Sequence, residues 1–187
     1  MFEIRDGVLI RYSGREREVT IPDGITAIKG EAFCGSKELE RVVIPEGVIT
    51  IGEGAFFACI NLKEVVMPES IEEIGDTAFM ECAVLEDIKL PSSLKKVGYN
   101  AFFGCKCLKT VFIPCFVESI GDYCFRMCDA LEEVYFDDRS DSPQLGYLIF
   151  AYCDNLREIT MPRSMIPLIP KMVLEDHINL GSIEFYV

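Results

Sequence analysis

Apolar residues return along this chain with a period of 23 positions. Four blocks run from Ile44-Pro45 to Val66, Met67-Pro68 to Lys89, Leu90-Pro91 to Phe112 and Ile113-Pro114 to Tyr135. Each reads apolar-Pro-x-x-apolar-x-x-apolar-Gly-x-x-small-Phe-x-x-Cys-x-x-Leu-x-x-apolar-x. A fixed period of this length predicts a solenoid, in which each repeat buries its apolar side only against its neighbours. A first repeat runs from Ile21 to Val43, and a sixth begins at Phe136. There Asp137-Asp138-Arg139-Ser140-Asp141-Ser142-Pro143-Gln144 replaces the Pro-x-x-apolar start, an insertion of two residues near 137–144, and register returns at Leu145-Gly146. A seventh, degenerate repeat keeps an apolar skeleton of Met161, Ile166, Ile169, Leu174, His177, Leu180 and Ile183, with Pro170 in place of the Gly. Atypical terminal repeats are expected of such an array.

Within a repeat, the triplets Leu39/Val42/Ile44, Leu62/Val65/Met67, Leu85/Ile88/Leu90, Leu108/Val111/Ile113 and Leu131/Val134/Phe136 predict strands with these side chains turned inward. The Pro after a triplet is expected to end the strand, because it has no N–H for the ladder. The column Gly52, Gly75, Gly98, Gly121 and Gly146 suggests a turn with positive φ, although Lys29 holds that place in the first repeat. The pairs Ala32-Phe33, Ala55-Phe56, Ala78-Phe79 and Ala101-Phe102 place a ring inside each coil, and these rings should stack as an aromatic spine. Residues 1–20 lack the repeat. Phe2, Ile4, Val8, Ile10 and Tyr12 alternate with Glu3, Leu9 and Arg11, and Asp6-Gly7 and Ser13-Gly14 are turn signals. That predicts a β-hairpin capping the open end of the solenoid.

This template resembles the BspA-type leucine-rich repeat, over residues 21–183 with an N-terminal cap to match. The resemblance implies an α/β-type leucine-rich-repeat solenoid: a right-handed arc with a parallel β-sheet on one face and about seven coils of 23 residues. Residues 1–20 would be its N-terminal β cap and 21–187 the solenoid, together one domain. Such proteins are found largely in bacteria and protists, many at cell surfaces, with adhesion and host-protein binding as recurring roles. The resemblance therefore implies a non-enzymatic protein-interaction module, with a structural or self-assembling scaffold as the alternative.

Charge narrows the choice of partner. Asp and Glu number 31 against 18 Lys and Arg, for a net charge of -13. Such a balance opposes binding to a nucleic-acid phosphate backbone and favours a basic or apolar protein surface. The plainer reading is that the acidic charge keeps a repetitive protein soluble. No apolar run reaches the ~18 residues of a membrane span, so no membrane insertion is expected. The start Met1-Phe2-Glu3-Ile4-Arg5-Asp6 is charged where a signal peptide is apolar. If Met1 is the native start, a cytoplasmic location is expected; if a leader was removed, the cell surface or secretion. The last coil shows no polar cap before Val187, which leaves self-association through end coils open, or a longer natural protein.

Nine cysteines suggest a disulfide framework until they are aligned. Cys59, Cys82, Cys105, Cys128 and Cys153 fill one repeat column, with Ser36 before them and His177 after. Column members on adjacent coils lie about 5 Å apart with parallel side chains, which favours a ladder of reduced, buried thiols over disulfides. Cys105-x-Cys107 and Cys124-x-x-x-Cys128 lack a second ligand pair at zinc spacing. The Asp137–Asp141 run lacks the spacing and glycine of a calcium loop. His177 is the only histidine, and no G-x-S-x-G, H-E-x-x-H or phosphate loop occurs. No catalytic, cofactor or metal residue is therefore assigned.

Strand residues that do not point inward form two further columns. One holds Arg41, Glu64, Asp87, Thr110, Glu133, Glu158 and Ser182, and the other Val43, Val66, Lys89, Phe112, Tyr135, Thr160 and Glu184. No core requires the second column, so Val43, Val66, Phe112 and Tyr135 are expected on the surface. Flanked by Glu64, Asp87, Glu133 and Glu158, they form the candidate protein-binding face. The competing reading is that β-branched and aromatic residues simply suit strands.

Overall fold

The computed structural model describes residues 1–140, 143–168 and, as backbone, the strand 182–186. The expected contacts of Ile169, Pro170, Leu174, His177 and Leu180, and those of Asp141 and Ser142, lie outside the described residues. The period becomes a stack of coils, each bonded to the next with the sequence offset of one repeat. Glu18–Thr20, Arg41–Val43 and Glu64–Val66 pair parallel and in register, Val19 against Val42 against Val65. Thr110–Ile113, Glu133–Phe136, Glu158–Pro162 and Ser182–Tyr186 form a second parallel ladder in the same column positions. These two ladders make up the expected sheet face.

The fold is a parallel β-solenoid rather than an α/β one. The helix among the described residues is a single 3-10 segment, Arg163–Leu168, and no helix there is long and apolar enough to cross a membrane. A second parallel sheet, not anticipated from the pattern, runs beside the first. Its strands are two residues long: Ala27–Ile28, Thr50–Ile51, Glu73–Ile74, Lys96–Val97, Ser119–Ile120 and Gln144–Leu145. The inward member of each is buried, and the hairpin Phe2–Arg5/Val8–Tyr12 closes the row by pairing Leu9 with Ile28. Glu18–Thr20, which precede the first repeat in sequence, already form the first strand of the sheet face.

The core is one continuous cluster along the stack. Phe33, Phe56, Phe79, Phe102, Phe125 and Phe150 stack ring on ring, with centroids 4.8 to 5.8 Å apart. Tyr12 of the hairpin lies 4.9 Å from Phe33 and extends the spine into the cap. Backbone bonds at the same level hold the rings in register, such as Phe56 N–H to the Ala78 carbonyl at 2.8 Å and Phe79 N–H to that of Ala101 at 2.8 Å. The strand triplets are buried as expected, except that Met67 is half-buried against the core.

The cysteine column behaves as a reduced ladder. All nine thiols are free, and Cys59, Cys82, Cys105, Cys128 and Cys153 are buried. Each points its Sγ at the carbonyl of the preceding coil's spine phenylalanine, from Cys153 to Phe125 at 3.0 Å to Cys105 to Phe79 at 3.4 Å. The thiol thus satisfies a backbone acceptor inside an apolar core. Burial pushes the Cys59 thiol up to about 12 and raises Cys105, Cys124 and Cys128 as well.

Several expectations need correction. The glycine column is not left-handed: Gly52, Gly75, Gly98, Gly121 and Gly146 are absent from the positive-φ residues. Their requirement is proximity. A Cβ at Gly98 would stand 2.4 Å from the Asp76 nitrogen, and one at Gly121 2.5 Å from that of Tyr99. Lys29 escapes because its coil faces the hairpin, where its N–H bonds to the Leu9 carbonyl at 2.9 Å. Pro162 is itself the last residue of the strand Glu158–Pro162, as a strand-ending Pro is expected to be. In the seventh repeat Met165 is buried, whereas Ile166 is 45% exposed.

The sheet face is also not continuous. Between Glu64–Val66 and Thr110–Ile113 the third coil contributes only the isolated bridge Glu64–Asp87. Asp87-Ile88-Lys89 stands where the other coils carry Val-rich or aromatic strands. Asp and Lys are poor strand formers, and the bridge sets two carboxylates side by side.

Candidate functional site

The face is built from strand residues that alternate with buried ones. Along Thr110–Ile113 the residues are exposed, buried, exposed, buried, and Phe112 is 49% exposed. Val43, Val66 and Tyr135 are half-buried on the same face, and Lys89 is exposed. Pairing sets Val43 beside Val66, and Phe112 beside Tyr135. The column closes at Thr160, which is buried at 7% exposure, against expectation. For Ser182 and Glu184 only the backbone position is described, opposite Glu158 and Thr160.

The carboxylates differ in their commitments. Glu64 accepts from the Arg41 guanidinium at 2.8 Å. Glu133 accepts from Arg157 at 2.8 Å and from the Tyr135 hydroxyl at 2.9 Å. That hydrogen bond pushes the Tyr135 phenol up to about 12. Glu158 accepts from Thr160 Oγ1 at 3.1 Å. Asp87 is exposed and makes no side-chain hydrogen bond or ion pair among the described residues. The face thus offers apolar side chains held by the ladder, with carboxylates fixed beside them.

Next to Phe112 the surface is concave. A groove of about 400 Å³ is walled by Leu90, Phe112, Pro114 and Cys115, with Lys89, Glu69, Asp137 and Arg139 also lining it. Asp137, the first residue of the insertion, is bound by Arg139 at 2.9 and 3.0 Å, which lowers its carboxyl to about 2. Its carboxylate is therefore committed to a cation of its own loop. A second groove, of about 550 Å³, shares Cys115 and is lined by Phe116, which is 66% exposed. Phe116 was not singled out from the sequence, yet a signal was there: the other coils hold Gly24, Gly47, Ser70 and Ser93 in that column.

A further regularity was missed as well. Arg17, Glu40, Lys63, Glu86, Lys109, Glu132 and Arg157 occupy one column with strictly alternating charge. Glu40 takes Arg17 at 3.1 Å and Lys63 at 3.0 Å, and Glu132 takes Arg157 at 2.8 Å. The Lys63 ammonium lowers the Glu40 carboxyl. This column borders the sheet face on its N-terminal side.

A stack of 23-residue β coils with an in-register sheet face, an internal ring stack and an outward row of apolar and acidic side chains defines a leucine-rich-repeat scaffold. The description "BspA type leucine rich repeat region" matches residues 11–132 and 72–186, in six copies, and the chain belongs to this family. Such repeat proteins are generally protein-interaction or adhesion scaffolds. A leucine-rich repeat protein of T. pallidum is 30% identical and superposes with a TM-score of 0.77 over 85% of this chain and 78% of its own. A leucine-rich repeat protein of Bacteroides ovatus is 32% identical, TM-score 0.73, over 87% of this chain and 45% of its own. A leucine-rich cell surface protein of Faecalibacterium prausnitzii is 29% identical, TM-score 0.72, over 84% and 52%. The chain thus spans about half the length of the latter two. Curated proteins return no match.

Proposed function

We propose that this chain is a non-enzymatic interaction module that docks a protein partner of basic or apolar surface on its sheet face. Val43, Val66, Phe112 and Tyr135 are the apolar anchors, and Glu64, Asp87, Glu133 and Glu158 set the charge of the partner. The observation that supports this most is Phe112. Half its surface lies open on a strand whose alternate residues already fill the core, so stability does not require a ring there. The groove beside it gives a partner side chain a concave, largely apolar seat, and buried aromatic anchors dominate such interfaces. The cell-surface protein of F. prausnitzii has a similar repeat stack, which favours a cell-surface setting for this chain too.

The test is a pull-down from source-cell and host lysates with wild type and a Phe112→Ala/Tyr135→Ala pair as baits. A partner captured by wild type and lost by the pair supports docking on the sheet face. A partner held equally by both moves the site elsewhere. A second reading, self-association, draws on Ser182–Tyr186, the outermost strand of its four-stranded ladder among the described residues, since strand edges recruit further strands. A concentration series by light scattering separates the two: association that survives the Phe112/Tyr135 pair favours the end coil.

A further inference from the structure

Away from the sheet face, each coil turns through a segment with two left-handed residues. The first is Glu31, Gly54, Thr77, Asn100, Tyr123 or Leu148, the second Gly35, Ala58, Glu81, Gly104, Met127 or Tyr152, all with φ between 52 and 72°. Left-handed backbone suits Gly and disfavours bulky side chains. Tyr123 and Tyr152 therefore sit where the fold would accept a glycine, and strain of this kind gathers at functional sites. Around them the aromatic content rises sharply. The position before the first turn residue holds Glu53 and Asp76 in early coils, but Tyr99 and Tyr147 later. Four of the chain's seven tyrosines thus fall on one turn surface of coils four to six.

These rings gather about one cation. Arg126 lies 4.8 Å from the Tyr152 ring, 5.3 Å from that of Tyr123 and 5.9 Å from that of Phe103. Tyr99 meets Tyr123 edge-on at 5.8 Å. Arg126 forms no ion pair among the described residues, and its Nε is buried with no acceptor. Its placement rests on ring faces rather than on an ion pair. Tyr99, Tyr147 and Tyr152 nonetheless remain 44%, 61% and 38% exposed. At the margin, Asp76 and Asp122 each use Oδ1 to cap a neighbouring N–H, of Tyr99 and Tyr147, both at 2.8 Å.

We propose that this tyrosine–arginine surface is a binding site for a neutral saccharide. Its exposed rings offer flat apolar faces for sugar C–H groups. The guanidinium and phenols supply donors, and the aspartates supply acceptors. A polyhydroxylated ring uses all three at once. Arg126 at the centre repels a cationic ligand, and the net charge of -13 opposes an anionic one.

The test is binding of the full chain to a printed array of neutral glycans (mannan, galactan, xylan and β-glucan fragments) and anionic ones (heparin and polysialic acid fragments). Tyrosine emission follows any hit in solution, since the chain has no Trp. Wild type is expected to bind at least one neutral class. A Tyr99→Ala/Tyr123→Gly/Tyr152→Gly variant is expected to lose at least tenfold in affinity while still unfolding in one cooperative transition, and Phe112→Ala to bind like wild type. Tyr147→Ala repeats the test at an exposed ring with no left-handed backbone. No neutral glycan bound, binding of anionic glycans only, or unchanged affinity in both tyrosine variants would each overturn the proposal. Capture of a protein through these rings with no glycan bound would do so too.

Discussion

Individual side chains divide into those the stack consumes and those it leaves free. The buried thiols belong to the first group. Cys59, Cys82, Cys105, Cys124, Cys128 and Cys153 are buried, whereas Cys34 is exposed and Cys107 and Cys115 are half-buried. With these six thiols shut away from solvent, and burial raising those of Cys59, Cys82, Cys105, Cys124 and Cys128, native protein should react with a thiol reagent at no more than Cys34, Cys107 and Cys115, and at the remaining six only after unfolding. Prompt reaction of more than three thiols in native buffer would contradict the ladder. The glycines divide by cause. Gly98→Ala forces a methyl group onto the backbone of the preceding coil and should cost about 1–3 kcal/mol or more as overpacking. Gly35→Ala meets open space, and its penalty is the left-handed backbone alone, about 1–2 kcal/mol. Denaturant melts of both variants should rank them in that order.

Secondary structure was readable in proportion to how many residues each strand spends on it. The sheet-face triplets of apolar positions are followed by Pro in all but the fifth coil, and each triplet but the third coil's lies on a strand. The second sheet uses two residues per coil, such as Thr50–Ile51, too few to show a period-2 alternation. The glycine column was visible, but sequence does not distinguish a Gly needed for positive φ from one needed for close approach; only the neighbouring coil's backbone decides. The break at Asp87-Ile88-Lys89 was written in residues unsuited to strands, yet the repeat register masked it. The alternating column from Arg17 to Arg157 is a rule between coils, visible only when repeats are stacked. It should be weak and screenable. Glu40→Lys sets three cations in succession and is expected to lower the melting temperature in low salt, with the difference shrinking in molar salt. A salt-independent loss would point to packing instead.

The assembled solenoid explains why the fold was readable and the site less so. Every coil repeats the same packing problem, so core positions are stated several times over. A ligand-binding residue is stated once and appears only as a departure from its column. Phe112 and Tyr135 are singled out by sequence because alternation marks their face. Phe116, Tyr123, Arg126 and Tyr152 were not singled out, because finding them requires asking which coil breaks the column rule without a gain in packing. The partner's identity is not written in the columns, because a scaffold of this kind constrains its own core and not what lies on its surface.

The division between core and free face can be put to one experiment: unfolding of Leu85→Ala beside Phe112→Ala/Tyr135→Ala. Leu85 is fully buried in the third coil, and its truncation should cost about 2–5 kcal/mol as a cavity. The sheet-face pair should melt within about 0.5 kcal/mol of wild type, as surface changes do. A loss of several kcal/mol in the pair would mean that Phe112 and Tyr135 hold the solenoid together, and the reading of this face as a docking surface would fail.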